Sequence, residues 1–251
     1  MKHYWINIER STKRREFMEN QFNKLNIENY RISAITPNDF ENVLVQKPPL
    51  SCNYPGCTTC DYEYACLCSH IKAMQEGLKS GDDYFVILED DMFLPFTIDY
   101  DNFIKNIPKD TDIMQMMILY GNTVLHLYEI LKQKNQKYIK WQYLLPSTGQ
   151  YLISKEGARK LVNLFYNNSL NKFDFSKAKH QIVADVLLYS SVNTYATTFP
   201  YCYPHIPMGS EIHPDHLTAH ELAVKDIKKV VNNNHNIYPY IIKKITESDY
   251  N

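Results

Sequence analysis

No stretch of about 18 consecutive apolar residues occurs in the 251-residue chain, so it offers no transmembrane helix. Its start, Met1-Lys2-His3-Tyr4-Trp5, lacks the apolar core of a signal peptide, and the two absences together lead us to expect a soluble, cytoplasmic protein. Charge of one sign is also missing. The 27 basic and 28 acidic side chains leave a net charge of -1, which excludes a broad cationic surface for nucleic acid and requires any anionic ligand to be bound locally. With 44% hydrophobic and 22% charged residues there is little room for long disordered tracts, and the length fits one domain without visible internal repeats. A second Cys-x-x-Cys is lacking too. Cys57-Thr58-Thr59-Cys60 has zinc-ligand or redox spacing, with Cys52, Cys66 and Cys68 nearby, but alone it leaves zinc, a disulfide and reduced thiols open. Reduced, partly buried thiols are the expectation for a cytosolic chain.

Tyrosine is abundant, with 20 copies. Its ring and hydroxyl suit sugar stacking, although an A- and T-rich genome that also favours Asn, Ile and Lys gives the same excess. Residues 3–8 are β-branched and aromatic and predict a first strand. Ser11 is placed to cap a helix through Leu25, with Phe17, Met18, Phe22 and Leu25 on its apolar face. Residues 30–35 predict a second strand. Pro37, Pro48, Pro49, Pro55 and Gly56 mark residues 37–61 as a long surface excursion, of which about 41–61 forms a cysteine-rich insertion. A helix resumes over residues 63–79 and closes at Gly81. The continuous apolar run at 84–88 reads as a strand covered on both faces, hence part of a parallel or mixed sheet. Further strands are predicted at 111–120 and 150–154, a helix at 156–165, and an amphipathic, lysine-rich tail from 217 that packs on the domain or lies on a membrane surface.

Glu89, Asp90 and Asp91 follow that buried strand directly, at the kind of strand end where open α/β sheets bind ligands. Clustered carboxylates near a core stay ionised only when a cation or basic partner compensates them, and an all-oxygen site suits Mn²⁺ or Mg²⁺. A solvated acidic turn is the plainer alternative. Around the first strand-to-helix turn, Asn7, Arg10, Arg14 and Arg15 are placed to receive an anion, or simply to be solvated.

Three segments resemble a known family. Ile6-Asn7-Ile8-Glu9-Arg10-Ser11-Thr12-Lys13-Arg14-Arg15 is similar to its opening, Glu63-Tyr64-Ala65-Cys66-Leu67-Cys68-Ser69-His70 to its helix motif ahead of the acidic strand end, and 149–161 to its Tyr-x-Ile-Ser strand and Gly-Ala helix. In this order they resemble glycosyltransferase family 25, the lipooligosaccharide and collagen-modifying galactosyltransferases, over roughly residues 3–190. The cysteine-rich insertion departs from the family pattern and bears on the acceptor. The resemblance implies a GT-A type α/β fold, with a mixed, mostly parallel sheet flanked by helices in a single domain. With the amphipathic tail set apart, the chain divides into a catalytic part, residues 1–216, and a helical tail packed on it, residues 217–251.

The implied reaction is metal-dependent, inverting transfer of a hexose, galactose or glucose, from a UDP-sugar to a glycan or hydroxylated protein acceptor, as in lipooligosaccharide biosynthesis. Inversion needs a general base, and Asp185 resembles the family's later acidic position, although an Asp there also suits a helix start. Donor contacts are expected from Asn7, Arg10, Arg14, Ser69, His70, Glu89 and Asp90. The metal is expected on Asp91 and Glu89, with His213 or His216, out of a loose cluster with His205 and His220, completing its shell. His70 equally fits as a satisfied buried histidine. Two other functions use the same features: a metal-dependent phosphohydrolase or nucleotidyltransferase, and a non-catalytic glycan-binding relative. The oligomeric state is left open.

Overall fold

The structure, a computed structural model, describes residues 1–49, 59–143, 145–209, 217–234 and 240–250. Strand β1 (His3–Asn7) is buried along its whole length. Helix α1 (Thr12–Leu25) follows, burying Met18, Phe22 and Leu25, and stops where Asn26 enters the left-handed region at φ 52°. Ser11 occupies the N-cap position, but its side chain does not make the expected capping bond. Strand β2 (Asn29–Ser33) then pairs with β1 in parallel.

The expected excursion over 37–61 is shorter than its prolines suggest. A 3-10 turn at Pro37–Asp39 is closed by reciprocal bonds between Thr36 and Asp39, and α2 (Phe40–Val43) follows. Phe40 and Leu44 are buried, and that apolar anchoring overrides the breaker composition. Helix α3 (Thr59–Lys79) starts four residues before the predicted 63, taking in buried Cys60. Cys52 and Cys57 lie outside the described residues.

Strand β3 (Tyr84–Glu89) pairs in parallel with β1. Short strands β4 (Met92–Phe93) and β5 (Phe96–Ile98) lead to α4 (Tyr100–Asn106), capped by Asp99. Of the predicted strand 111–120 only β6 (Ile113–Gln115) joins the ladder. Met116 N still donates to the Gln150 carbonyl at 3.0 Å, but its own carbonyl accepts from Tyr201 N at 2.9 Å, and Met117 and Ile118 stay buried outside the ladder. Next come α5 (Gly121–Lys134), β7 (Tyr138–Lys140), β8 (Gln150–Ser154) and α6 (Lys155–Phe165), whose first turn is capped by the Ser154 hydroxyl accepting from Gly157 N at 3.0 Å. A hairpin of β9 (Tyr166–Asn167) and β10 (Lys172–Phe173) precedes α7 (Ala184–Ser191) and β11 (Thr194–Thr197). Strand β12 (Tyr203–Pro204) pairs with β4, α8 (Leu217–Asn234) packs on α5, and β13 (Ile241–Lys244) pairs with β5.

The central sheet has the order β2-β1-β3-β8-β6-β11-β7. Strands β2, β1, β3, β6 and β11 run one way while β8 and β7 oppose them, which makes three parallel and three antiparallel pairings in the mixed sheet expected of this α/β domain. Side chains of β3 alternate between two cores: Val86 and Leu88 join the layer of α1, α4, α5 and α8, whereas Phe85 and Ile87 join that of α3, α6 and α7. This two-sided covering explains the unbroken apolar run.

Candidate active site

Parallel pairing of β1 with β3 brings Asn7 and Glu89 out at the same sheet edge, with Ile6 opposite Glu89. The antiparallel neighbour β8 begins at that edge, where Glu89 N donates to the Gly149 carbonyl at 3.0 Å. One sheet edge thus collects the acidic triplet, the first helix turn and the loop before β8.

The three acids have different surroundings. Asp90 is buried and taken up internally: Asn7 Nδ2 donates to its Oδ2 and Arg14 to its Oδ1, both at 2.6 Å. Burial lifts its carboxyl above the ordinary value, although Arg14 and Asn7 pull the other way. Glu89 accepts the Thr148 hydroxyl at 2.7 Å and lies 3.6 Å from His70 Nε2. Burial pushes its carboxyl up, but His70 and Thr148 more than offset this and leave it below the ordinary range. Asp91 is half-buried, lies 3.5 Å from Arg14, and has one oxygen, Oδ1, buried without a hydrogen-bond partner among the described residues. Burial raises its carboxyl to about 7; Arg14 opposes the rise, and the neighbouring Glu89 and Asp90 charges add to it.

Two cavities meet at this ledge. The larger, about 380 Å³, is lined by Glu89, Asp91, Tyr120, Asp185, His205 and His220 among others. The smaller, about 110 Å³, lies over the ends of β1 and β2, with apolar Ile6, Ile8, Ile35 and Pro37 beside Arg10, Arg14 and His70. Cys66, Glu89 and Asp91 belong to both walls.

Of the residues singled out from sequence, Asn7 is a buried hub rather than a wall residue: its carbonyl oxygen accepts from Arg31 at 2.9 Å while its amide donates to Asp90 and to the Ser11 carbonyl. Arg14 also donates to the Gly209 carbonyl at 2.7 Å, fixing the chain just before residue 210 against the acids. Ser69 spends its hydroxyl on the Ile35 amide and the Ala65 carbonyl, at 2.8 and 2.7 Å, and so holds the loop after β2 against α3. His70 is fully buried, with Nδ1 3.0 Å from the Tyr151 hydroxyl. Asp185 opens α7 on the wall of the larger cavity; its Oδ2 accepts from Ser147 N at 3.0 Å and its Oδ1 from Val186 N at 2.8 Å. His213 and His216 lie outside the described residues.

The sequence reading missed Thr148 and Ser147, and it counted Cys66 only among the clustered cysteines, not on the site wall. Ser147 has φ 104°, a strained conformation for a side-chain-bearing residue, and its loop is held because Gln115 donates to the carbonyls of Leu145, Pro146 and Ser147. Nothing local in sequence marks Ser147 or Thr148. Cys66 did carry a signal, since it sits one helical turn before His70 on α3 and the two share a face.

An oxygen-rich wall with a half-buried carboxylate, one of whose oxygens has no hydrogen-bond partner among the described residues, and a second acid beside it fits a hard divalent cation, whose charge would add to that of Arg14 in offsetting the burial of Asp91. Among the described residues no helix is long and apolar enough to cross a membrane.

A family model described as Glycosyltransferase family 25 (LPS biosynthesis protein) matches residues 1–176. No curated protein matches the chain. Among solved structures, A197 from STIV aligns at 14% identity and TM-score 0.43, over 85% of this chain and 90% of that one. A glycosyltransferase involved in glycosylation of the major capsid of PBCV-1 aligns at 11% identity and TM-score 0.34, over 65% of this chain and 63% of that one. Mouse xyloside xylosyltransferase 1 aligns at 10% identity and TM-score 0.31, over 76% of this chain and 66% of that one.

Proposed function

The chain belongs to glycosyltransferase family 25, and from that premise we propose that it transfers a hexose, galactose or glucose, from a UDP-sugar to a glycan or hydroxylated acceptor, with inversion and with help from Mn²⁺ or Mg²⁺. The observation that carries the reading is Asp91: a carboxylate with one buried oxygen that has no partner among the described residues, on the wall shared by two cavities. The smaller cavity offers apolar walls for a nucleoside, with Arg10 and Arg14 at its acidic end to balance a diphosphate. Asn7 acts behind that surface and, through Asp90 on the smaller cavity's wall, orients Arg14 toward the ledge. Ser69 and His70 shape the pocket from α3. The larger cavity then takes the sugar and the acceptor.

Asp91 and Glu89 would hold the cation, with His213 or His216 as further ligands. When bound, the ion supplies positive charge against the departing diphosphate. Asp185 is the proposed base. Two backbone amides pin its carboxylate on the far wall, where it can receive the acceptor hydroxyl proton. Tyr120, exposed at the cavity mouth, offers a ring face to a sugar. The role in lipooligosaccharide or other glycan biosynthesis belongs to the same reading.

The test is release of UDP from UDP-galactose and UDP-glucose with Mn²⁺. Release should vanish on adding a chelator and fall by roughly 100-fold or more in Asp91→Asn. Asp185→Asn should lower kcat for transfer by about 100- to 10,000-fold with little change in the donor KM. Turnover that is indifferent to the chelator would refute the cation assignment, and hydrolysis of simple phosphate esters without UDP-sugar turnover would favour a phosphohydrolase.

A further inference from the structure

We propose that Cys66, His70 and Glu89 form a Zn²⁺ site on the wall between the two cavities. It shares Glu89 with the site proposed for Mn²⁺ or Mg²⁺ but differs from it in taking a sulfur donor from Cys66 and a nitrogen donor from His70. One sulfur, one imidazole nitrogen and one carboxylate oxygen from these residues lie within 4.8 Å of one another. Cys66 and His70 stand one turn apart on α3, and Glu89 closes the set from the end of β3.

The geometry of His70 carries the argument. Its ring is fully buried, and Nε2 has no hydrogen-bond partner among the described residues. Nε2 sits 3.6 Å from Glu89 Oε1, too far for a hydrogen bond. That separation is what two ligands show across a tetrahedral zinc, where bonds of about 2.0–2.2 Å place nitrogen and oxygen about 3.3–3.6 Å apart. On the other side of the ring Nδ1 meets the Tyr151 hydroxyl at 3.0 Å, and the tautomer that donates there leaves the Nε2 lone pair facing Glu89. Thr148 steadies the carboxylate at 2.7 Å, so two of the three ligands already have the outer partners that metal sites use to orient their ligands. With the three donor atoms within 4.8 Å of one another, the Cys66 sulfur has to close by at most about an ångström, within reach of a side-chain rotation.

Ligand chemistry selects the ion. A thiolate with an imidazole suits zinc, whereas Mn²⁺ and Mg²⁺ favour oxygen. As zinc binds, the Cys66 thiol proton passes to solvent. Three protein ligands leave a fourth position open toward the cavities. The two proposals share Glu89, but this one rests on the Cys66 and His70 donors, so zinc binding without nucleotide and in Asp91→Asn tells its failure from that of the sugar-transfer reading.

The test uses the whole chain, stripped of metal and without nucleotide. Zinc is titrated against a chromophoric chelator, and Co²⁺ is added separately to look for a thiolate-to-cobalt charge-transfer band. The expected result is one zinc bound at this site, weakened at least tenfold in Cys66→Ala and in His70→Ala, with the band lost in Cys66→Ala. Zinc affinity and the band should survive in Asp91→Asn and in the double variant Cys57→Ser/Cys60→Ser. Thermal melts confirm that each variant is folded, and half-buried Cys66 is the primary probe should His70→Ala unfold. Absence of zinc binding by the native chain, a band that persists in Cys66→Ala, or a band lost in the Cys57/Cys60 double variant would overturn the proposal.

Discussion

Asp91→Asn should make the metal-free protein more stable above neutral pH while removing its activity. The side chain sits beside Glu89 and Asp90 with one oxygen buried and without a partner among the described residues, and burial first, then those charges, carries its carboxyl from 3.8 to about 7 against the pull of Arg14. A pKa raised by folding means that the native state holds the proton more tightly than the unfolded chain. The resulting stability is therefore complete below about pH 4 and is lost as pH rises toward 7. At 1.36 kcal/mol per pH unit, the span from 3.8 to about 7 sets a ceiling of about 4 kcal/mol on that loss. Asn keeps the shape and never ionises, so the variant should gain up to about 4 kcal/mol over the native chain at pH 8 and nothing at pH 4. For a chain of this size that is a rise in Tm of at most about 8–16 °C. Urea unfolding from pH 4 to 9 in a chelator measures it. Adding Mn²⁺ should then stabilise the native chain and not the variant. Equal stability of the two proteins at pH 8, with parallel pH curves, would show that the carboxylate carries no strain and would remove the physical argument for a cation beside it.

His3 predicts the opposite slope. Burial holds its imidazole down to about 4 from 6.5, against the Met1 carbonyl bond, so only the unfolded chain takes up the proton between those values. Stability is complete above about pH 6.5 and falls by up to about 3 kcal/mol toward pH 4; in His3→Gln the difference curve against native should show that acid loss removed, and an unchanged acid limb would refute it. Gly77 lies in α3 where an added Cβ would come 2.3 Å from the ring of buried Phe85. Gly77→Ala should therefore lose about 1–2 kcal/mol in urea unfolding, although alanine is the better helix former by about 1 kcal/mol. Phe103→Ala should cost about 3–5 kcal/mol, because this buried ring meets Tyr100, Tyr138, Tyr201 and Tyr240 at 5.4–6.4 Å. A loss below 1 kcal/mol by chemical denaturation would contradict that packing.

Much of the fold was legible because its signals are local. The run at 84–88 has to be covered on both faces, and β3 is; the apolar face read up to Leu25 and the helix predicted at 156–165 match α1 and α6 nearly to the residue. Composition misled where burial overrode it, as at Phe40 and Leu44 among breakers, and at Met116, whose apolar run continues after the strand has left its ladder.

The acidic triplet could be read from sequence as a group, since three charges after a buried strand need compensation. Their separate surroundings could not. Whether Asp90 turns to Asn7 and Arg14, Asp91 to the shared wall, or Glu89 to Thr148 and His70 depends on chain segments up to 83 residues apart, brought together by strand pairing across β1, β3 and β8. The sequence by itself determined the layered α/β class, the edge at which charge would gather and the family to which the chain belongs, because each is written in contiguous residues. Only tertiary structure decided which carboxylate is held inside and which faces a cavity, and that a cysteine and a histidine on one helix meet a glutamate from a strand. Such encounters are settled by how elements pack, which no run of neighbouring residues encodes.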